Sequence, residues 1–193
     1  MLRQPLLGSP QRFEQATVLM LDFVDFSEMA VARDPAALVA ELNDIFSGFD
    51  RIAEMFDCER IKTNGDSYMA VCGLPERSPD HTANIAHAAL RMRGYIDRRN
   101  RTNSNQWRCR IGLASGAVVG SIVGVKKYVY DVFGPAVNLA ARLEKAAAPM
   151  QVLTDATTGT LLGPAFACRP RETCSLKGFG ELRVHELLGL GAA

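Results

Sequence analysis

The sequence predicts one α+β domain, and three observations point there. A very apolar, β-prone run lies near the start. Asn64-Gly65 sits between two further β-prone segments, which signals an antiparallel hairpin. Several stretches with apolar residues at three- and four-residue spacing alternate with these strands. The chain has 193 residues, 48% hydrophobic and 22% charged, enough for one sizeable core.

Residues 1–15 mix Pro, Gly and polar side chains and read as a lead-in or linker, leaving 16–193 as the domain. Ala16 to Phe23 is mostly apolar and β-prone, the mark of a buried strand. Asp34-Pro35 opens a helix, because proline is tolerated in a first turn. Leu38, Leu42, Ile45, Phe46, Phe49, Ile52, Ala53 and Phe56 form its apolar stripe. Cys58 to Thr63 and Asp66 to Cys72 flank the Asn-Gly turn as strands. A second helix runs from Asp80 to about Arg99. Trp107 to Ser115 and Ala117 to Val123 read as two strands around a glycine turn, and Tyr128 to Val132 as another. Gly134 to Ala147 is a helix with Pro135 in its first turn and Pro149 beyond its end. From Gln151 the tail carries a short helix near Asp155 and two or three strands ending at Leu182 to Leu188.

Several function classes are disfavoured. Lys plus Arg is 22 and Asp plus Glu is 21, so no strong field favours nucleic acid or an anionic membrane. Apolar runs such as Val18 to Leu21 are far shorter than the about 20 residues a membrane span needs. No segment has the form of a signal peptide. Cys58, Cys72, Cys109, Cys168 and Cys174 are odd in number and lack CxxC spacing, which speaks against a disulfide framework or zinc site. A reducing cytoplasm is the expected setting.

Two carboxylates stand out. Asp22 sits in the very apolar run VLMLDFVDF, where a charge needs a cation or donors. Asp66 follows the hairpin turn. Strands joined by one helix commonly lie side by side, so the two could meet and hold Mg²⁺. A turn aspartate and a capping aspartate are the plainer alternative. Asn138 and Arg142 are four apart on one helix face and could stabilise charge on a phosphoryl group. The plainer alternative pairs Arg142 with Glu144 or another surface acid and leaves Asn138 solvated.

Four segments together carry a resemblance: VLMLDFVDFSEM, RIKTNGDSYMAVCGLP, CRIGLASGAVVGSIVG and YVYDVFGPAVNLAARLE. In order and spacing they resemble the class III nucleotidyl cyclase catalytic domain from about residue 16 to 188. The resemblance implies a ferredoxin-like βαββαβ core with added C-terminal strands, active as a head-to-tail homodimer with sites at the interface. It implies two Mg²⁺ or Mn²⁺ ions per site, held by Asp22, Asp66 and the backbone carbonyl of Phe23. Lys62 and Asp131 match base-reading positions, Asn138 a ribose-positioning residue, and Arg142 the residue that stabilises the transition state. Arg110 matches a phosphate-binding position, and Lys177 does so in some relatives.

A lysine donor beside an aspartate acceptor complements the N1 acceptor and N6 donor of adenine, whereas guanine reverses that edge. The expectation is therefore an adenylate cyclase that converts ATP to 3′,5′-cyclic AMP and pyrophosphate. A guanylyl or mixed-specificity cyclase and a silent nucleotide-binding dimerisation module are the alternatives. An upstream regulatory or sensor domain in a longer chain is expected, with no nucleic-acid partner and no membrane insertion of this segment. Three positions depart from the family pattern: Asp25 stands where relatives usually carry Gly, Ser27 for Thr, and Phe133 for the commoner Trp. Arg91, Arg93, Arg98, Arg99 and Arg101 read as a solvated helix end. His81 and His87 lack metal-ligand spacing.

Overall fold

A computed structural model describes residues 9–124 and 128–191. The first strand, β1 (Gln11–Phe23), leads through α1 (Phe26–Ala32) and α2 (Pro35–Met55) to the hairpin β2 (Cys58–Asn64) and β3 (Ser67–Cys72). Helix α3 (His81–Thr102) follows, then β4 (Cys109–Val123), β5 (Val129–Phe133) and α4 (Pro135–Ala146). The tail contains β6 (Val152–Asp155), α5 (Ala156–Leu162), β7 (Phe166–Pro170), β8 (Cys174–Leu176), β9 (Gly180–Leu182) and β10 (Val184–Leu190).

The main sheet runs β2-β3-β1-β4-β6-β10-β7, with β5 paired to β4, while β8 and β9 form a separate hairpin. Its first four strands are antiparallel in the ferredoxin-like order, and β6 extends the sheet parallel to β4. Among the described residues no helix is long and apolar enough to cross a membrane.

From Ala16 to Phe23, strand β1 is covered on both faces, and its two-residue period decides which side each residue serves. Leu19, Leu21 and Phe23 enter the core under α2 and α3, with Ile45, Phe49, Ile85 and Trp107. Ala16 and Val18 enter the core under α4, with Ala140 and Leu143. Asp22 shares the parity of Val18 and so faces α4. In β4, Ile111 and Leu113 serve the first core and Ala114 the second, so Arg110 also faces α4. Asp22 and Arg110 are register partners across β1 and β4.

Helix α4 approaches the sheet at Gly112. A Cβ there would collide with the Ala140 carbonyl oxygen and the Glu144 amide, both backbone atoms that cannot swing aside. Gly112→Ala is therefore expected to destabilise the domain by about 1–3 kcal/mol, the usual cost of overpacking. A two-state thermal or urea melt measures it; an unchanged midpoint would contradict this account of helix–sheet packing.

Several boundaries differ from the sequence expectation. Strand β1 begins at Gln11, inside the expected lead-in, whose first eight residues lie outside those described. An extra residue in β1 shifts the register between Phe13 and Ala16, and this bulge breaks the alternation that marks a strand. The two strands expected around Gly116 are one 15-residue strand, because β1 pairs with β4 on both sides of the bulge. The hairpin turn is Gly65-Asp66 rather than Asn64-Gly65: Asn64 pairs with Ser67, and Gly65 takes a φ of 60°. Glycine at the first central position suits a two-residue turn of this kind. Asp66 thus lies at the hairpin tip, not in β3. Helix α2 opens as expected, with the Asp34 carboxylate accepting from Ala37 N–H at 2.8 Å.

Candidate active site

Three neighbouring strands bring polar side chains into one row on the α4 face. Leu21 pairs with Tyr68 between β1 and β3, so the next step places Asp22 opposite Ser67. Ser67 Oγ donates to Asp22 Oδ1 at 2.5 Å, and Arg110 Nη2 donates to Asp22 Oδ2 at 3.1 Å. Beside Ser67, Asp66 brings the second carboxylate. Burial raises its pKa, and the charge of Asp22 raises it further; Arg110 and the Phe23 backbone N–H act in the opposite sense. The two aspartates that sequence spacing suggested as partners therefore do sit in each other's field.

Glu144 completes the cluster from above. It packs on the α4 face that carries Ala136, Ala140 and Leu143, and its side chain is only 6% exposed. Its Oε1 lies 3.2 Å from Arg110 Nε. Burial, followed by the charge of Asp22, pushes the Glu144 carboxyl up to about 7, and Arg110 offsets only part of this. Glu144 is thus no surface partner for Arg142, the alternative weighed from the sequence. The two are two residues apart, about 200° around the helix.

That rotation separates two functional faces. Asn138 and Arg142 lie about 40° apart on the outer side of α4. Asn138 is exposed and Arg142 half-buried, on the side away from the buried face that carries Glu144. Neither is brought onto Asp22 or Asp66 by its own chain.

A third group lies between β2 and β5. Lys62 Nζ donates to Asp131 Oδ2 at 2.6 Å, and Asp131 Oδ1 accepts from its neighbour Val132 N–H at 2.8 Å. These two residues are 69 apart in sequence and meet because the β4–β5 hairpin folds back toward β2. A fixed donor beside a fixed acceptor can read one edge of a base. Lys177 is exposed in the β8–β9 turn, while its neighbour Leu176 packs into the α4-side core.

The donors near Asp22 suit a hard divalent cation. Among the described residues no cluster of three His, Cys, Asp or Glu side chains could hold a metal. Two carboxylates with a backbone carbonyl leave positions for water and substrate phosphate, the usual manner for Mg²⁺. The mutual repulsion of Asp22 and Asp66 is what a cation bound between them would relieve.

The departure at Asp25 has a local explanation. Asp25 adopts a left-handed backbone with φ 62°, at the position where the family resemblance leads one to expect Gly. Aspartate is among the few other residues that visit this region. Its carboxylate pairs with Arg108 Nη2 at 2.5 Å, turned toward the neighbouring strand. Phe133 is about half exposed at the end of β5.

Comparison with known proteins identifies the arrangement. The sequence profile of the adenylate and guanylate cyclase catalytic domain matches residues 9–189. An adenylate cyclase of Mycobacterium tuberculosis is 37% identical over 178 residues, covering 92% of this chain and 40% of that protein. A receptor-type guanylate cyclase of Caenorhabditis elegans is 33% identical over 186 residues, covering 93% of this chain and 16% of that protein. The chain thus spans less than half the length of these relatives. Its fold superposes on the guanylate cyclase domain of RhGC from Catenaria anguillulae, solved in complex with GTP, with a TM-score of 0.89. That match has 25% identity and covers 93% of this chain and 99% of the other. Profile, relatives and fold agree: the chain belongs to the adenylate and guanylate cyclase catalytic domain family, with the class III architecture.

Proposed function

We propose that this chain is an adenylate cyclase catalytic domain that makes 3′,5′-cyclic AMP and pyrophosphate from ATP, as a head-to-tail homodimer with composite sites. The observation that carries the choice of nucleotide is the Lys62–Asp131 pair at 2.6 Å. Relatives of both specificities exist, so the choice rests on this pair. Lys62 donates to adenine N1 and Asp131 accepts from N6. Guanine would set its N1–H against the ammonium and its O6 against the carboxylate.

Cyclisation is an attack of the ribose 3′-hydroxyl on the α-phosphate, with pyrophosphate leaving. Little covalent work falls to the protein, so catalysis is positioning and charge stabilisation. Asp22, Asp66 and the Phe23 carbonyl would hold two divalent ions, Mg²⁺ or Mn²⁺, which neutralise the triphosphate and lower the pKa of the attacking hydroxyl. Arg110 lies beside these carboxylates and contacts phosphate oxygens; Lys177 does so from the β8–β9 turn. Asn138 orients the ribose, and Arg142 neutralises charge that develops at the α-phosphoryl group.

The outer-face position of Asn138 and Arg142 supports the composite site. One copy supplies the metal-binding row, while its partner supplies the base-reading pair and the transition-state residues. A cytoplasmic setting suits the substrate, and the five cysteines are free thiols. A regulatory domain in a longer protein fits relatives of which this chain spans 40% and 16%.

The test is turnover of ATP and GTP under matched conditions, with products separated by chromatography. The expected result is cyclic AMP in large excess over cyclic GMP. Cyclic GMP as the main product would overturn the base assignment, and no pyrophosphate from either nucleotide would overturn the enzyme. The double variant Lys62→Glu, Asp131→Cys is expected to lose most ATP turnover, because the donor and acceptor edges are exchanged, and to admit GTP. An unchanged ATP preference would remove these residues from base reading.

A further inference from the structure

We infer that Glu144 is a positioning residue: it receives the Arg110 guanidinium when Asp22 takes up a divalent ion. The inference rests on the proposed metal role of Asp22 and concerns a residue outside that assignment.

Asp22 is not free to meet a cation. Ser67 occupies one of its oxygens and Arg110 the other. Arg110 thus stands at Asp22 as a resident cation, and an incoming ion competes with it. Only two carboxylates form ion pairs with Arg110 among the described residues, Asp22 and Glu144. If Arg110 leaves Asp22, Glu144 is the partner already within reach.

The contact between them is unfinished. Arg110 Nε and Glu144 Oε1 are both buried and face each other at 3.2 Å, yet neither makes a hydrogen bond. A buried acceptor without a donor is costly, and its cost falls once the guanidinium turns fully onto it. Glu144 therefore holds an unused acceptor aimed at the group that must move. The same contact keeps the guanidinium beside the row for a triphosphate to meet. Gly112 allows this, since any larger residue would lift the Glu144 backbone off β4.

The two residues then have opposite effects on metal affinity. Without the Glu144 charge, Arg110 stays on Asp22 and competes harder with the ion. Without Arg110, no competitor remains and Glu144 has little left to do. The experiment is Mn²⁺ binding without nucleotide at pH 8, where the Glu144 carboxylate is charged, read by electron paramagnetic resonance, with circular dichroism confirming the fold. Glu144→Gln is expected to weaken Mn²⁺ binding roughly tenfold, the scale typical of residues behind a metal ligand. Arg110→Gln is expected to tighten it. In the Arg110→Gln background, adding Glu144→Gln is expected to change affinity by less than about twofold, the non-additivity that marks a shared partner.

An equal loss from Glu144→Gln in both backgrounds would show a plain field effect and overturn the inference, as would no loss in wild type. If the Gln variant does not fold, Glu144→Asp keeps the charge but shortens its reach. It is expected to weaken Mn²⁺ binding only while Arg110 is present, and wild-type affinity in it would equally overturn the inference. Asp22→Ala separates the two levels: if it leaves Mn²⁺ binding untouched, the metal assignment itself fails.

Discussion

Asp66→Ala is expected to abolish cyclic nucleotide formation while leaving the fold intact. Asp66 lies in a hairpin turn, half-buried, with its pKa raised by burial and by the charge of Asp22. Removing it relieves repulsion between two carboxylates and opens no cavity in the core, so the thermal midpoint should hold or rise. Turnover behaves differently. Metal-borne charge stabilisation is worth several kcal/mol, and its loss lowers the rate by roughly 10³ or more. Product chromatography and a circular dichroism melt read the two effects separately. Near wild-type turnover in Mg²⁺ would remove Asp66 from metal binding. Asp22→Ala should differ in one respect. It also strips Ser67 of its acceptor and Arg110 of one of its two carboxylate partners, so it costs stability as well as turnover.

The contrast between these aspartates shows what a sequence can reveal. Asp22 stands out as a charge inside an apolar strand and Asp66 as a carboxylate just after a hairpin turn, and strand–helix–strand connectivity makes them neighbours. Helix α2 shows its apolar stripe at Leu38, Leu42, Ile45, Phe46 and Phe49, and the sheet buries that stripe as the spacing predicts. The short helix near Asp155 is likewise present, capped by the Asp155 carboxylate on Thr157 and Thr158.

What stays hidden depends on register and rotation. The Asp22–Arg110 pair spans 88 residues and follows from a β1–β4 register that no local pattern states. Glu144 reads as a surface acid because glutamate is seldom buried. Its spacing carried a signal all the same, since it lies one helical turn from Ala140 on the face of Leu143. The Lys62–Asp131 pair spans 69 residues and depends on a folded-back hairpin; only the resemblance to the family singled out both residues. Asp25 stands at a glycine position of the family pattern, and its left-handed backbone and the Arg108 pair explain how it fits. The start of strand β1 is hidden because the bulge near Glu14 and Gln15 interrupts a two-residue period.

The central claim is that each site is shared between two copies of the chain. It rests on the rotation of α4, which buries Glu144 against Arg110 and turns Asn138 and Arg142 outward. Homodimers of Asp66→Ala lack a metal ligand in both sites. Homodimers of Asn138→Ala lack the ribose contact in both, and lose roughly 10²–10³ in kcat if it acts as a single transition-state donor. In a mixed dimer one site collects both lesions, and the other joins two intact halves. Random pairing makes about half of all dimers mixed, each with one working site of two. Equal mixing of the two inactive variants is then expected to restore about a quarter of wild-type turnover per chain, for a symmetric dimer with free exchange. The decisive measurement is cyclic AMP formation in that mixture, with mixed dimers verified by native mass spectrometry. Recovery near a quarter is the result the composite site predicts. No recovery in a verified mixture would place each site within a single chain and contradict the account.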